Sequence, residues 1–146
     1  MGIVECIFVA PNRGAPMVEV TAVEAVAGEG LKGDRYLEAA NRRSPDYQIT
    51  FIEAENIEAF TRDTGVAMSP GMPRRNVVTR NVSLNELVGA RFRVGSVVLE
   101  GLELCEPCRL FANRTYKDTL TWFLGKGGLR AMIIAGGVLS VGDAIG

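Results

Sequence analysis

Glycine residues divide this sequence into many short segments. Seventeen glycines are spread over the 146 residues, and they separate short apolar stretches rather than long periodic ones. Runs of about four to eight residues that are rich in Val, Ile and Phe and are bounded by turn residues are typical of β-strands. The spacing therefore predicts a mainly β protein.

The apolar runs place the expected elements along the chain. A helix is predicted over 52–64, because Ile57 and Phe60 are spaced for one helix face and Gly65 follows where a C-terminal cap belongs. Short strands are predicted over 2–9, 18–26, 48–52, 77–79, 92–94, 97–104, 129–135 and 138–145. This set predicts a closed or nearly closed β-barrel with one clear helix and short helical pieces, as a single domain over 1–146 and without a parallel βαβ unit.

Composition excludes several classes of function. The chain has no histidine, so Ser-His-Asp triads, Cys-His pairs and histidine-based metal sites are ruled out. The net charge of −1 argues against a nucleic-acid partner. No apolar run reaches the roughly 18 residues of a membrane span. The first residues also lack the basic region of a signal peptide, so we expect a cytoplasmic protein without a membrane partner.

The strongest chemical signal is the motif Cys105-Glu-Pro-Cys108, directly after an apolar strand. Two cysteines with this spacing can form a disulfide, share a metal or activate one another, or they can be ordinary buried thiols. Structural zinc needs four ligands, and the third cysteine, Cys6, lies far away in a predicted core strand. A dithiol oxidoreductase is the main alternative, but that mechanism requires the motif at a helix N-terminus within a βαβ unit.

Arginines stand close to this motif in the sequence or on another loop. Arg109 follows Cys108 directly, and the pair Arg74-Arg75 precedes Asn76 at the start of a predicted strand. Guanidinium groups favour the thiolate form of a nearby cysteine and bind phosphate through paired hydrogen bonds. The pattern indicates a reactive thiolate in positive surroundings.

Two other polar features have simpler interpretations. Gly125-Lys-Gly-Gly128 is expected to be a flexible connection more than a phosphate cradle. The acidic residues Glu53 and Glu55 are expected to belong to the solvated face of the helix.

Several short motifs follow one another along nearly the whole chain. They are Gly33-Asp34-Arg35-Tyr36, Gln48-Ile-Thr-Phe-Ile52 with Glu55, Pro73-Arg-Arg75-Asn76-Val-Val-Thr79, Leu84-Asn85-Glu-Leu87-Val-Gly89, Phe92-Arg-Val-Gly95, Cys105-Glu-Pro-Cys108, Gly136-Gly137 and Gly142-Asp143. This ordered series resembles the MOSC domain, named for the C-terminal domain of molybdenum cofactor sulfurase, in its short stand-alone form. The resemblance implies a β-barrel of the pyruvate-kinase type. It also implies that Cys108 is the family's cysteine and that Cys105 is a less regular companion.

The same resemblance suggests cofactors and partners. Cys108 would carry a persulfide, or would ligate the molybdenum of a bound molybdopterin for reduction of N-hydroxylated compounds. Arg75 and Asn76 would face that cofactor or its phosphate, and Arg35, Arg74 and Arg109 are assigned to the same cofactor-binding group. We expect sulfur to come from a separate PLP-dependent cysteine desulfurase, and electrons to come from a donor protein.

Overall fold

A computed structural model describes residues 2–37, 47–105 and 122–146 of the chain. These residues include eleven strands, the helix α1 (Ala54–Thr64) and a 3-10 helix (Leu84–Leu87). The strands are β1 (Gly2–Val9), β2 (Val18–Val20), β3 (Ala22–Val26), β4 (Gly30–Leu31), β5 (Ile49–Glu53), β6 (Val77–Arg80), β7 (Arg91–Val94), β8 (Val97–Leu104), β9 (Leu129–Ala135), β10 (Gly137–Ser140) and β11 (Ala144–Ile145).

Seven of these strands close into a barrel. Their order around the barrel is β1, β6, β5, β9, β8, β7 and β11, and β11 returns to β1 through the pairs Gly2–Ile145 and Ile3–Ala144. Closure leaves few unpaired backbone groups at strand edges. The predicted mainly β barrel with one clear helix is confirmed.

Two predicted strands are each broken into two. The segment 18–26 divides at Thr21 into β2 and β3, and the segment 138–145 divides after Ser140 into β10 and β11. The two breaks lie side by side, because the Val141 N–H donates to the Thr21 carbonyl over 3.0 Å. Beyond them, β3 and β10 pair in a separate small sheet with β4, while β2 and β11 both pair with β1.

The expectation that no parallel βαβ unit occurs is wrong. β5 and β6 pair in parallel, with Phe51 opposite Val77, and α1 lies between them in the sequence. The direction of β6 relative to β5 could not be predicted from the sequence, because the proline-containing loop after α1 has no pattern that shows at which end of β5 the next strand starts. The Cys-x-x-Cys motif lies outside this unit, since it follows β8, whose partners β7 and β9 are both antiparallel.

The chain buries apolar side chains in two places. Alternate residues of the barrel strands fill its interior, where Ile7, Phe51, Leu99 and Leu129 are fully buried. This alternation follows from the two-residue period of a strand. The second cluster lies outside the barrel wall, where α1 buries Phe60 against other aromatic and aliphatic groups.

The acidic residues around the start of α1 bind backbone groups instead of forming a plain solvated face. The Leu84 N–H donates to Glu53 Oε2 over 3.1 Å, and the Asn81 N–H donates to Glu55 Oε2 over 2.8 Å. Burial raises the pKa of Glu53, the Leu84 N–H opposes that shift, and the charge of Glu55 adds to it. These carboxylates tie α1 to the segment after β6.

We predict that Gly128→Ala strongly destabilises the barrel. Gly128 has a φ of +111°, and a Cβ there would overlap the Phe51 carbonyl oxygen of β5. A backbone clash combined with a left-handed conformation is expected to lower the free energy of unfolding by roughly 3 kcal/mol or more. Urea unfolding followed by circular dichroism measures the change.

Gly125→Ala is the matched control in the same loop. Its φ of +74° also disfavours a side chain, but no atom lies within 4 Å of the added Cβ. The expected loss is about 1 kcal/mol. Equal losses at the two positions would show that the approach of Gly128 to β5 is not a packing constraint.

We predict that Glu53→Gln stabilises the protein at neutral pH. A carboxyl whose pKa is raised in the folded state contributes stability at low pH that is lost as the pH rises through that value. Glutamine keeps an oxygen for the Leu84 N–H and cannot ionise. The variant should gain stability over the wild type above about pH 5, and the two should converge below about pH 4, where glutamate is protonated.

The test is to measure the free energy of unfolding of both proteins at pH values from about 3.5 to about 7.5, in steps of roughly one pH unit. Glu86→Gln, at an exposed position of the 3-10 helix, is the control and should show no such gain. A pH-independent effect of Glu53→Gln would contradict the explanation.

Candidate functional site

Cys105 lies immediately after β8 and is 2% exposed. Its N–H donates to the Gly128 carbonyl over 2.7 Å, which extends the pairing of β8 with β9 by one step. The first cysteine of the motif therefore has a fixed place at one end of the barrel. Cys108 and Arg109, also predicted as site residues, lie outside the described residues.

The cation beside Cys105 is Arg130, which was not among the predicted site residues. Arg130 Nη2 lies 3.6 Å from Cys105 Sγ. Its guanidinium carbon stands 4.4 Å from the centre of the Tyr47 ring, and Glu103 approaches Nε to 3.7 Å. One sequence signal could have identified Arg130: it is a charged residue near the start of the otherwise apolar strand β9. A strand that contacts only apolar neighbours rarely contains a charged residue.

Arg130 lies at one end of a row of cations and rings, in which the Tyr36 and Tyr47 rings are tilted by 59° to one another. The Tyr47 and Tyr36 ring centroids are 5.7 Å apart, and the guanidinium carbon of Arg35 stands 4.3 Å from the centre of the Tyr36 ring. Each guanidinium over a ring face gains electrostatic attraction from the ring's π electrons. The row places predicted Arg35 and unpredicted Arg130 at its two ends.

Arg35 is largely engaged in holding two loops. It pairs with Asp34 over 3.1 Å, and it donates from Nη2 to the Arg74 carbonyl over 3.3 Å. Asp34 Oδ1 in turn accepts from the Ala10 N–H at the end of β1. A buried ion pair with these additional hydrogen bonds avoids leaving an uncompensated charge. Cofactor contact by Arg35 remains a prediction.

Arg74 lines a cleft of about 400 Å³. Its backbone has a φ of 62°, and its Nη1 donates to the Ala15 carbonyl over 2.7 Å. Besides Arg74, the residues that line the cleft are Phe8, Pro16, Met17, Glu19, Ser69, Pro70, Gly71 and Met72. Neither Cys105 nor Arg130 lines it.

Arg75 fastens the glycine-rich loop next to Cys105. Its Nε donates to the Gly127 carbonyl over 2.9 Å, and the neighbouring Gly128 carbonyl accepts from the Cys105 N–H. Gly127 and Gly128 are buried, so the expectation of a flexible connection over this segment is wrong for these two residues. Arg75 reaches the motif through the backbone of this loop.

Asn76 is fully buried and joins three barrel strands. Its Nδ2 donates to the Phe8 carbonyl of β1 over 3.1 Å, and its Oδ1 accepts from the Thr50 N–H of β5 over 3.0 Å. The Thr50 hydroxyl also approaches Asn76 Oδ1 to 3.2 Å. These bonds account for the burial of an amide side chain. The cofactor contact predicted for Asn76 is untested.

Cys6 is separate from this region and differs in environment. Burial raises the pKa of its thiol, and the negative charges of Glu19 and Glu5 raise it further. Within residues 2–37, 47–105 and 122–146, no group of three Cys, Asp or Glu side chains is arranged to hold a metal ion. In the same ranges, no helix is both long and apolar enough to cross a bilayer.

Comparison with known proteins places the chain in a family. The MOSC domain family model matches residues 38–146. No curated protein sequence gives a significant match.

Solved structures share the fold at low sequence identity. The YUAD protein from Bacillus subtilis superposes with a TM-score of 0.79 at 20% identity, covering 99% of this chain and 94% of that one. YiiM from Geobacillus stearothermophilus gives 0.77 at 15% identity, covering 99% and 74%, and YiiM from Escherichia coli gives 0.69 at 18% identity, covering 98% and 68%. These likenesses establish the fold alone. Through the family match, the chain belongs to the MOSC domain family, which is associated with molybdenum-cofactor-related proteins.

Proposed function

We propose that this MOSC domain carries sulfane sulfur as a persulfide on the Cys108 thiolate. The observation that carries the proposal is the setting of the first cysteine of the motif. Cys105 is fixed at the end of β8, and the Arg130 guanidinium lies 3.6 Å from its sulfur. The motif therefore begins beside a positively charged side chain.

The reaction needs a persulfide donor, for which a PLP-dependent cysteine desulfurase is the proposed partner. The Cys108 thiolate attacks the terminal sulfur of the donor's persulfide, and a new sulfur–sulfur bond forms on Cys108. The sulfur–sulfur bond of the donor breaks, and the donor leaves as a thiolate with the electron pair. An acceptor thiolate can take the terminal sulfur by the same exchange, which returns Cys108 as a thiolate. Delivery as sulfide to a metal–sulfur centre or a cofactor takes two electrons, which the proposed electron-donor protein would supply.

Binding of the molybdenum cofactor is the second candidate, and the cleft at Arg74 favours it. Its volume of about 400 Å³ lies within the range of small-molecule sites, roughly 300 to 1,000 Å³. Arg74 would bind a pterin phosphate there, and the Cys108 thiolate would supply a soft ligand for molybdenum. Bound molybdenum would supply the redox chemistry for reducing N-hydroxylated compounds, with electrons from a donor protein.

A dithiol oxidoreductase is less well supported. Such enzymes place the first cysteine at a helix N-terminus within a βαβ unit. Here Cys105 follows β8, which pairs antiparallel with both of its neighbours.

We predict that a protein with Cys108 as its only cysteine accepts one sulfur. The variant Cys6→Ser/Cys105→Ser is incubated with a cysteine desulfurase and cysteine, and intact-mass spectrometry should show the mass of one added sulfur atom. The variant Cys105→Ser/Cys108→Ser retains only Cys6 and is the matched control. It should stay unmodified, because burial and two nearby carboxylates raise the pKa of the Cys6 thiol.

Absence of added sulfur on Cys108 would contradict sulfur carriage. The dithiol alternative instead requires both thiols of the motif. It gains support only if Cys105→Ser and Cys108→Ser abolish reduction of a small disulfide to the same extent.

We predict that molybdenum co-purifies with the chain from a host that makes the cofactor, if the second candidate holds. Elemental analysis should then find the metal in the wild type and not in Cys108→Ser. Arg74→Gln should lower its occupancy about tenfold, the effect of losing one charged hydrogen bond. Arg91→Gln, an exposed arginine of β7 paired with Glu100, is the control for loss of one charge. A wild type without molybdenum contradicts this candidate.

A further inference from the structure

One donor of the Arg130 guanidinium has no partner among the described residues. Arg130 Nη1 is buried and makes no hydrogen bond there, while Nη2 lies 3.6 Å from Cys105 Sγ. A buried donor without an acceptor is costly, so an acceptor atom brought to Nη1 would be favoured. The remaining nitrogen, Nε, faces Glu103.

The neighbouring groups hold this guanidinium in place. The Tyr47 ring lies beneath it, and the Arg130 side chain is only 16% exposed. A guanidinium presents two parallel N–H donors and is therefore suited to a ligand with two adjacent acceptor atoms. With Nη2 already on Sγ, an acceptor atom bonded to that sulfur would give the guanidinium such a pair.

We propose that Cys105 is itself a persulfide site and that Arg130 binds both of its sulfur atoms. A persulfide has two sulfurs about 2 Å apart, the separation of a sulfur–sulfur bond. Nη2 would contact Sγ, and Nη1 would donate to the terminal, anionic sulfur. This inference rests on the proposed sulfur-carrier function and extends it to a second residue that a thiol–thiol exchange could load.

The reaction at Cys105 balances in the same way as the one proposed for Cys108. With its proton released to solvent, the Cys105 sulfur attacks a sulfane sulfur of a persulfide or polysulfide donor. A sulfur–sulfur bond forms on Cys105, the sulfur–sulfur bond of the donor breaks, and the donor departs with the electron pair as the shorter anion. The positive charge of Arg130 balances the negative charge of the product. Because Cys105 is only 2% exposed, we expect both loading and loss of the sulfur to be slower than at an exposed thiol.

The test uses a protein whose only cysteine is Cys105, made by Cys6→Ser/Cys108→Ser. It is treated with inorganic polysulfide, desalted and examined by intact-mass spectrometry. We expect one added sulfur atom. The loaded protein is then exposed to cyanide, which removes sulfane sulfur as thiocyanate, and the rate of loss gives the lifetime of the persulfide.

Arg130 is tested in the same single-cysteine background. Arg130→Gln should shorten the persulfide lifetime about tenfold, the effect of removing a charged hydrogen bond. Arg130→Lys keeps the charge without the paired donors and should recover part of the lifetime. Arg91→Gln removes an exposed arginine of β7 that pairs with Glu100, and it should leave the lifetime unchanged. Thermal unfolding of each variant shows whether the barrel is intact.

Two results would overturn the inference: no sulfur on Cys105 when Arg130 is present, or equal lifetimes in the Arg130 protein and a folded Arg130→Gln variant. If Arg130→Gln does not fold, Arg130→Lys decides, since an unchanged lifetime there removes the requirement for a paired donor. These outcomes are independent of the protein that retains only Cys108. Failure of the Cys108 proposal and failure of the Cys105 inference are therefore distinguishable.

Discussion

The hydrogen bond from the Cys105 N–H to the Gly128 carbonyl fixes the geometry of the whole candidate site. It continues the pairing of β8 and β9 past the end of β8, so the cysteine sulfur comes to lie beside Arg130 on β9. Only glycine fits at position 128, because a side chain there would overlap the Phe51 carbonyl of β5. Arg75 secures the same loop through a hydrogen bond to the Gly127 carbonyl. The position of Cys105, the first residue of the Cys-x-x-Cys motif, thus depends on a glycine.

The arginines at this end of the barrel divide by what they contact. Arg35 pairs with Asp34 and holds the loop that contains Arg74. Arg74 donates to the Ala15 carbonyl, and Arg75 donates to the Gly127 carbonyl in a different loop. Among the described residues, Arg130 is the arginine that contacts a cysteine sulfur. A positive charge close to a thiol influences its chemistry directly, whereas charges bound to carbonyls act mainly by positioning the chain.

Much of the barrel could be predicted from local sequence. Residues 2–9, 97–104 and 129–135 were predicted with the bounds that β1, β8 and β9 have, because they are short apolar runs that glycines or turns end. The positions where 18–26 and 138–145 break could not be predicted. The sequence of each segment is typical of one continuous strand. Only the hydrogen bond between Val141 and Thr21 shows that the two breaks lie side by side.

The sequence alone determined the class of fold, the absence of histidine chemistry and the presence of a Cys-x-x-Cys motif, since these depend on residue types and short spacings. The tertiary structure decided which cation stands beside Cys105. Arg130 is 25 residues from it in sequence, and the two meet because β8 and β9 are antiparallel neighbours in a particular register. Register depends on how all strands of a closed barrel fit together. No local pattern encodes that fit, so the contact between Arg130 and the Cys105 sulfur was found only in the folded chain.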